Sequence, residues 1–443
     1  MNLKIMRAIL KSLENGDVRC HSQKSLRELR PPEWKLTLGW LRRSGLALYW
    51  WSRIKAGNND GFIPRNIRED LDADLRENRA RLSAMAGEFR LLILLLRGAE
   101  IPYAVLKGFA LIPEYCPDPV FRNQYDFDFL VRPDSLGRLN EVLLDSGFIK
   151  KPKRIGDNQV VYFESTRQPQ VPHNLDKVFS PDLYRPIEIH TCLWQASVEK
   201  IHFELPPDPL GGVVLKTWND LSFFSLAPEE ALVFQVIHLF RHILNNYCRL
   251  SHFFELTVFL HQHAEQKSFW TGFERVVQAD PRLMEAAGVV FSLAANLFNL
   301  EVPGHAKPFT TDHLTSASAF WVHEYGLQSA LQNFTNSKSS LYLHRLFVEK
   351  ECDWKKIRRR RLFPIQKPGV VARASSRATM PNLGAHSRQL MHILRRSWFH
   401  GVAALKYVWG LPEWRRASRT GVGGINSKRA DRAAMATGTM RGE

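Results

Sequence analysis

Between positions 105 and 131 the chain reads VLKGFALIPEYCPDPVFRNQYDFDFLV, with Asp126 and Asp128 set one residue apart in an otherwise apolar segment. An unpaired carboxylate in such surroundings costs several kcal/mol or takes up a proton. Either a cation sits against the two of them, or the segment is not a buried strand. On a strand, residues i and i+2 face the same side, so the two aspartates converge while Phe127 and Phe129 face the opposite layer. The later segment RPIEIH alternates in the same way, with Glu188 and His190 on one face and Ile187 and Ile189 on the other. Three convergent carboxylates suit Mg²⁺ (or Mn²⁺), a hard cation that takes oxygen ligands and keeps waters and substrate phosphates. Metals held this way activate an attacking hydroxyl and stabilise a leaving pyrophosphate. Asp126, Asp128 and Glu188 are accordingly the candidate catalytic metal ligands.

Triphosphate chemistry also needs a cradle. Gly108 ends one apolar run and is expected to open a helix, FALIPEY, where backbone N–H groups can approach phosphate oxygens. Lys107 and Arg122 would supply fixed positive charge. His173, His190, His238 and His242 are candidate pocket residues. His238 and His242 stand at i, i+4, a spacing that can bind zinc, but HLFRH lacks the glutamate of H-E-x-x-H. A structural or phosphate-facing role is the expectation there.

These side chains need a sheet to hold them. IPYAVL, YDFDFLV, QVVYFES and RPIEIHTCLW read as strands, and PDSLGRLNEVLLDSGF reads as a helix between the second and third. Apolar residues at helical spacing fill 25–97, and helix resumes from position 227 with PEEALVFQVIHLFRHILNN. The predicted architecture is α/β: a small mixed-sheet core at 98–200, flanked by helical regions at 1–97 and 201–350. A basic linker, an amphipathic helix and a disordered tail are expected at 351–443.

The chain has 443 residues, 44% hydrophobic, enough for a large core, and a net charge of +17. The charge is not evenly spread. Residues 351–443 hold 20 Lys and Arg against 5 Asp and Glu, so the body is nearly balanced while the tail should seek a polyanion. In the segment 388–409, Leu390, Leu394, Trp398, Val402, Leu405 and Trp409 recur at i+3/i+4, flanked by Arg388, Arg395, Arg396 and Lys406. Such a helix either lies in a membrane interface or docks on the protein itself. Five cysteines without a CxxC pair argue against a zinc knuckle or a disulfide framework and fit a reducing cytoplasm. No uncharged apolar run reaches the roughly 20 residues of a membrane span.

Taken in order, VLKG, RNQYDFDFLV, IEIH and EEALVFQVIHLFRH resemble an uncharacterised bacterial nucleotidyltransferase family, within the polymerase-beta-like superfamily. The resemblance covers roughly 34–364. It implies Asp126, Asp128 and Glu188 as metal ligands and Gly108 as the turn glycine. Lys-Gly stands where many superfamily members carry Gly-Ser or Gly-Gly. The expected activity is metal-dependent nucleotidyl transfer from a nucleoside triphosphate to an unidentified acceptor, in polysaccharide or modified-peptide biosynthesis. The rival readings are a non-catalytic nucleotide-binding scaffold and an RNA-modifying nucleotidyltransferase. The expected location is cytoplasmic and peripheral to a membrane, with the basic tail on an anionic membrane surface or nucleic acid.

Overall fold

The computed structural model describes residues 2–13, 21–151, 160–166, 178–183, 185–299, 302, 304–331, 338–363 and 383–420. The chain divides into two compact units, one of 1–242 with 248–313, the other of 243–247 with 314–443.

Among the described residues of the first unit, seven strands make one mixed sheet: β1 (Tyr103–Val105), β2 (Phe127–Val131), β3 (Phe148–Lys150), β4 (Val160–Ser165), β5 (Ile187–His190), β6 (Val214–Trp218) and β7 (Leu221–Ser225). Their order is β3-β4-β5-β2-β1-β7-β6. β2 and β5 run parallel at the centre, and β1 joins β2 antiparallel. The four strands expected from sequence are all present. The sheet also gains β3 and, from the stretch expected to be helical beyond 200, the hairpin β6–β7. That hairpin closes on Trp218 opposite Leu221, and Asn219 adopts φ of +52°, a backbone region in which asparagine is tolerated.

One sheet face is covered by the helix Arg65–Gly98. Its Met85, Phe89, Leu92, Ile93 and Leu96 pack against Tyr103, Val105, Phe127, Phe129, Val131, Ile187, Ile189 and Phe223. Phe89 stacks on Phe109 at 4.5 Å and meets Phe223 edge-on at 5.1 Å. The odd-numbered residues of β2 and β5 are thus committed to this core, which sends the even-numbered ones to the other face.

The buried stripe of the same helix carries polar residues at core spacing: Leu71, Asp74, Asn78, Arg81 and Met85. Asp74 takes a bidentate ion pair from Arg42 on the helix Pro31–Ser44, at 2.8 and 2.9 Å. Asn78 Nδ2 donates to the carbonyls of Val120 and Arg122, at 2.7 and 3.0 Å. Arg81 donates from Nε and Nη2 to the carbonyl of Gln124 and from Nη1 to that of Ser180. These bonds fix the segment that feeds β2.

In the second unit, the helix Leu383–Thr420 extends past the predicted 388–409 and contains Pro412. Its docked side is Ala403, Tyr407 and Trp414, with Tyr407 and Trp414 stacked on Tyr342 at 4.9 and 5.2 Å. Tyr342 Oη donates to the Tyr407 carbonyl at 2.6 Å, and a Cβ at Gly410 would sit 2.5 Å from that hydroxyl. The predicted stripe is not the docked side: Trp398 and Trp409 are 76% and 75% exposed, and Leu390, Leu394 and Leu405 are exposed with them. KKIRRRR lies on the helix Glu351–Leu362, anchored through Trp354, Ile357 and an Arg361–Ser340 hydrogen bond of 2.8 Å. The segment 421–443, expected to be disordered, lies outside the described residues.

Candidate active site

The parallel register of β2 and β5 sets Asp128 beside Glu188 and Leu130 beside His190. All four project from the face opposite the phenylalanine core. His190 Nε2 lies 3.0 Å from Asp128 Oδ1 and 3.8 Å from Glu188 Oε2. Ligand atoms of Asp128, Glu188 and His190 all fall within 4.8 Å of one another. Asp126, one position before β2, is outside that group. Its carbonyl is held by Gln124 Nε2 at 2.9 Å, and its carboxyl interacts electrostatically with Asp128.

The cation against these carboxylates is Lys107, whose Nζ lies 2.7 Å from Asp128 Oδ1. Burial works to raise the Asp128 carboxyl, but Lys107 and His190 outweigh it and hold it below the ordinary range. Burial works equally to lower Lys107, and Asp128, Asp126 and Glu188 outweigh it in the other direction. Glu188 and Asp126 are both pushed up, by burial first and by the Asp128 charge second. Lys107 thus favours the Asp128 anion most, while at Asp126 and Glu188 burial and the Asp128 charge outweigh the nearby cations.

Gly108 follows Lys107 with φ of +67°, and a Cβ there would lie 2.1 Å from Gln124 Nε2. The glycine is needed for backbone geometry and for the approach of Gln124. The helix expected after it is only a 3₁₀ turn, Gly108–Leu111, which the proline at 113 does not extend. The helix-terminus part of the phosphate cradle is therefore corrected to a single turn. Arg122 is nearly buried, its Nε 3.1 Å from Glu255 Oε1, and Tyr49 Oη donates to the same oxygen at 2.9 Å. Glu255 consequently ties the segments of Tyr49 and Arg122 to its own helix, a role the isolated sequence does not show.

His238 and His242 lie on the helix Pro228–Asn245, which covers the second face of the sheet: Gln235 Nε2 donates to the Leu106 carbonyl at 3.1 Å, and Phe234 meets His190 edge-on. His252, which sequence reasoning passed over, joins them from the helix Leu250–His263. A small pocket, with room for about one water, is lined by Lys107, Tyr115, Arg122, Gln235, His238, His252 and Glu255 among others. His173 lies outside the described residues. The signal for Asn78, Arg81 and Glu255 was present in the sequence as polar residues at apolar helical positions, but their partners were not.

The donor set fits a hard divalent cation. Asp128 Oδ2 is buried with no hydrogen-bond partner among the described residues, and Glu188 adjoins it. A carboxylate oxygen so placed costs stability unless it is bound. A comparison with curated proteins gives no match. Residues 30–299, well over half of the chain and including every strand of the sheet, match the family described as an uncharacterised nucleotidyltransferase. With its D-x-D segment beside an acidic strand on the sheet face opposite the phenylalanine core, the chain belongs to that nucleotidyltransferase family.

Proposed function

We propose that the protein transfers a nucleotidyl group from a nucleoside triphosphate to an acceptor hydroxyl, amine or phosphate, in a reaction that depends on Mg²⁺ or Mn²⁺ and serves polysaccharide or modified-peptide biosynthesis. The observation that carries this reading is the clustering of Asp128, Glu188 and His190 around a buried, unpaired carboxylate oxygen. Asp128 and Glu188, with Asp126 beside them, would hold the cation, which when bound supplies charge neutralisation at the phosphates. His190 fixes the Asp128 carboxylate through its 3.0 Å contact. Lys107, 2.7 Å from Asp128, would contribute positive charge beside the bound phosphates. The acceptor atom bonds to the α-phosphorus, the bond from that phosphorus to the bridging oxygen breaks, pyrophosphate leaves, and the acceptor loses its proton.

The test is pyrophosphate release from each of the four ribonucleoside triphosphates, with and without Mg²⁺ or Mn²⁺, across hydroxyl, amine and phosphate acceptors. Metal-dependent release is expected with one triphosphate preferred. Nucleotide binding without release under all conditions would instead mark a scaffold.

A second reading concerns location. The exposed Trp398 and Trp409, on a helix that also carries Arg395 and Arg396, favour peripheral attachment to an anionic membrane over binding to nucleic acid. Attachment on the cytoplasmic side is part of the same proposal. No described helix is long and apolar enough to cross a membrane.

A further inference from the structure

Beside the carboxylates lies a cluster made of a different chemistry. His238 and His242, one turn apart on the helix Pro228–Asn245, share a face, with ring centroids 4.3 Å apart and planes tilted by 52°. His252, from the helix Leu250–His263, closes the triangle at 5.8 Å from His238 and 5.5 Å from His242. One ring nitrogen from each lies within 4.8 Å of the other two.

We propose that His238, His242 and His252 form a three-imidazole site for a zinc-class divalent cation, separate from the carboxylate cluster and independent of the nucleotidyl-transfer reading. Zinc–nitrogen bonds of about 2.0–2.1 Å at tetrahedral angles require nitrogens about 3.3 Å apart, within reach of the observed cluster through small side-chain adjustments. Imidazole nitrogens select Zn²⁺, Co²⁺ or Ni²⁺, whereas Mg²⁺ and Mn²⁺ prefer the oxygen donors of the neighbouring site. Three protein ligands are the number found where the fourth position is kept for water or a substrate oxygen.

The environment fits. His252 Nδ1 is buried with no hydrogen-bond partner among the described residues, a costly arrangement that coordination through that nitrogen would relieve. Burial is the main cause holding all three imidazoles below their ordinary range, His242 at about 3, and neighbouring cations or imidazoles add to it. They are therefore in the neutral, ligating form at neutral pH. Lys107, Arg122 and Arg249 oppose an added dication, while Asp128 and Glu255 offset Lys107 and Arg122. An affinity below that of closed four-ligand zinc sites is the consequence.

The decisive experiment is metal loading of the chelator-treated full chain with Zn²⁺ or Co²⁺. Zinc X-ray absorption on the wild-type protein should show three imidazole nitrogens at about 2.0 Å. Titration should give one equivalent that Mg²⁺ does not displace, retained in Glu188→Gln and lost in His252→Gln. Oxygen-only coordination of the bound zinc, no bound zinc, or retention in a folded His252→Gln would overturn the proposal. So would stabilisation of the metal-free protein by tripolyphosphate that depends on His252 while zinc does not bind, since the cluster would then be an anion site. If His252→Gln does not fold, the wild-type absorption spectrum still decides.

Discussion

Asp128 and Glu188 are neighbours on parallel strands, but their surroundings assign them different burdens. Asp128 holds the buried Lys107 ammonium at 2.7 Å, so Asp128→Asn removes a metal donor and also leaves that ammonium without its closest partner. Glu188 is pushed up by burial and by the Asp128 charge, which together outweigh the attraction of Lys107, so Glu188→Gln removes a donor while relieving strain between like charges. Both variants should lose metal-dependent pyrophosphate release. Urea unfolding should separate them: Asp128→Asn is expected to cost about 3 kcal/mol, as for a broken buried ion pair, and Glu188→Gln less than about 1 kcal/mol. Equal destabilisation by the two would show that Lys107 does not depend on Asp128. Gly108 offers a second residue-scale test. Gly108→Ala combines a positive φ with a Cβ 2.1 Å from Gln124 Nε2, so a loss of about 1–3 kcal/mol is expected. Adding Gln124→Ala should return the part of that loss due to the clash and leave the part due to φ.

At the scale of elements, the helix Arg65–Gly98 does two tasks with one stripe: its C-terminal half supplies apolar core, and its middle supplies hydrogen bonds that anchor the segment before β2. Asp74, near the start of that middle stretch, is pushed up to about 6 by burial, which outweighs the Arg42 ion pair. The sign of its effect follows. Between roughly pH 4 and 6 the folded protein holds a proton on Asp74 that the unfolded chain has released, so this group's contribution to stability falls as pH rises through that window. Relative to Asp74→Asn, the wild type should therefore lose on the order of 2 kcal/mol between pH 4 and pH 6.5. Urea unfolding of both proteins across that range measures the difference, and parallel curves would mean that Arg42 keeps the carboxylate ionised throughout.

For the whole molecule, the uneven charge and the exposed helix stripe meet in the C-terminal fifth. Binding to anionic vesicles should have two parts: a salt-sensitive one from Lys and Arg, and a salt-resistant one from Trp398 and Trp409, whose burial in lipid is not screened. In the full-length chain, the double variant Trp398→Ser and Trp409→Ser should lose the salt-resistant part and keep the salt-sensitive one. Because both side chains are exposed, the fold should be unaffected, which circular dichroism checks. Binding of the wild type to RNA but not to vesicles would reassign the tail to nucleic acid.

The sequence by itself determined the alternation that separates Phe127, Phe129, Ile187 and Ile189 from Asp128, Glu188 and His190, because a strand's two-residue period admits only one division into faces. It also determined the helical character of 25–97 and the clustering of charge in the tail, both local properties. It left the hairpin β6–β7 unread, since its short alternating runs have little signal until β7 pairs with β1. Partner choice was decided only by the tertiary structure. Nothing in the order of residues says that Lys107 meets Asp128, that Arg122 meets Glu255 across 133 positions, or that His252 completes a triangle with His238 and His242. Those pairings depend on which helix lies on which sheet face, and that is settled by the packing of apolar surfaces far from the charges themselves.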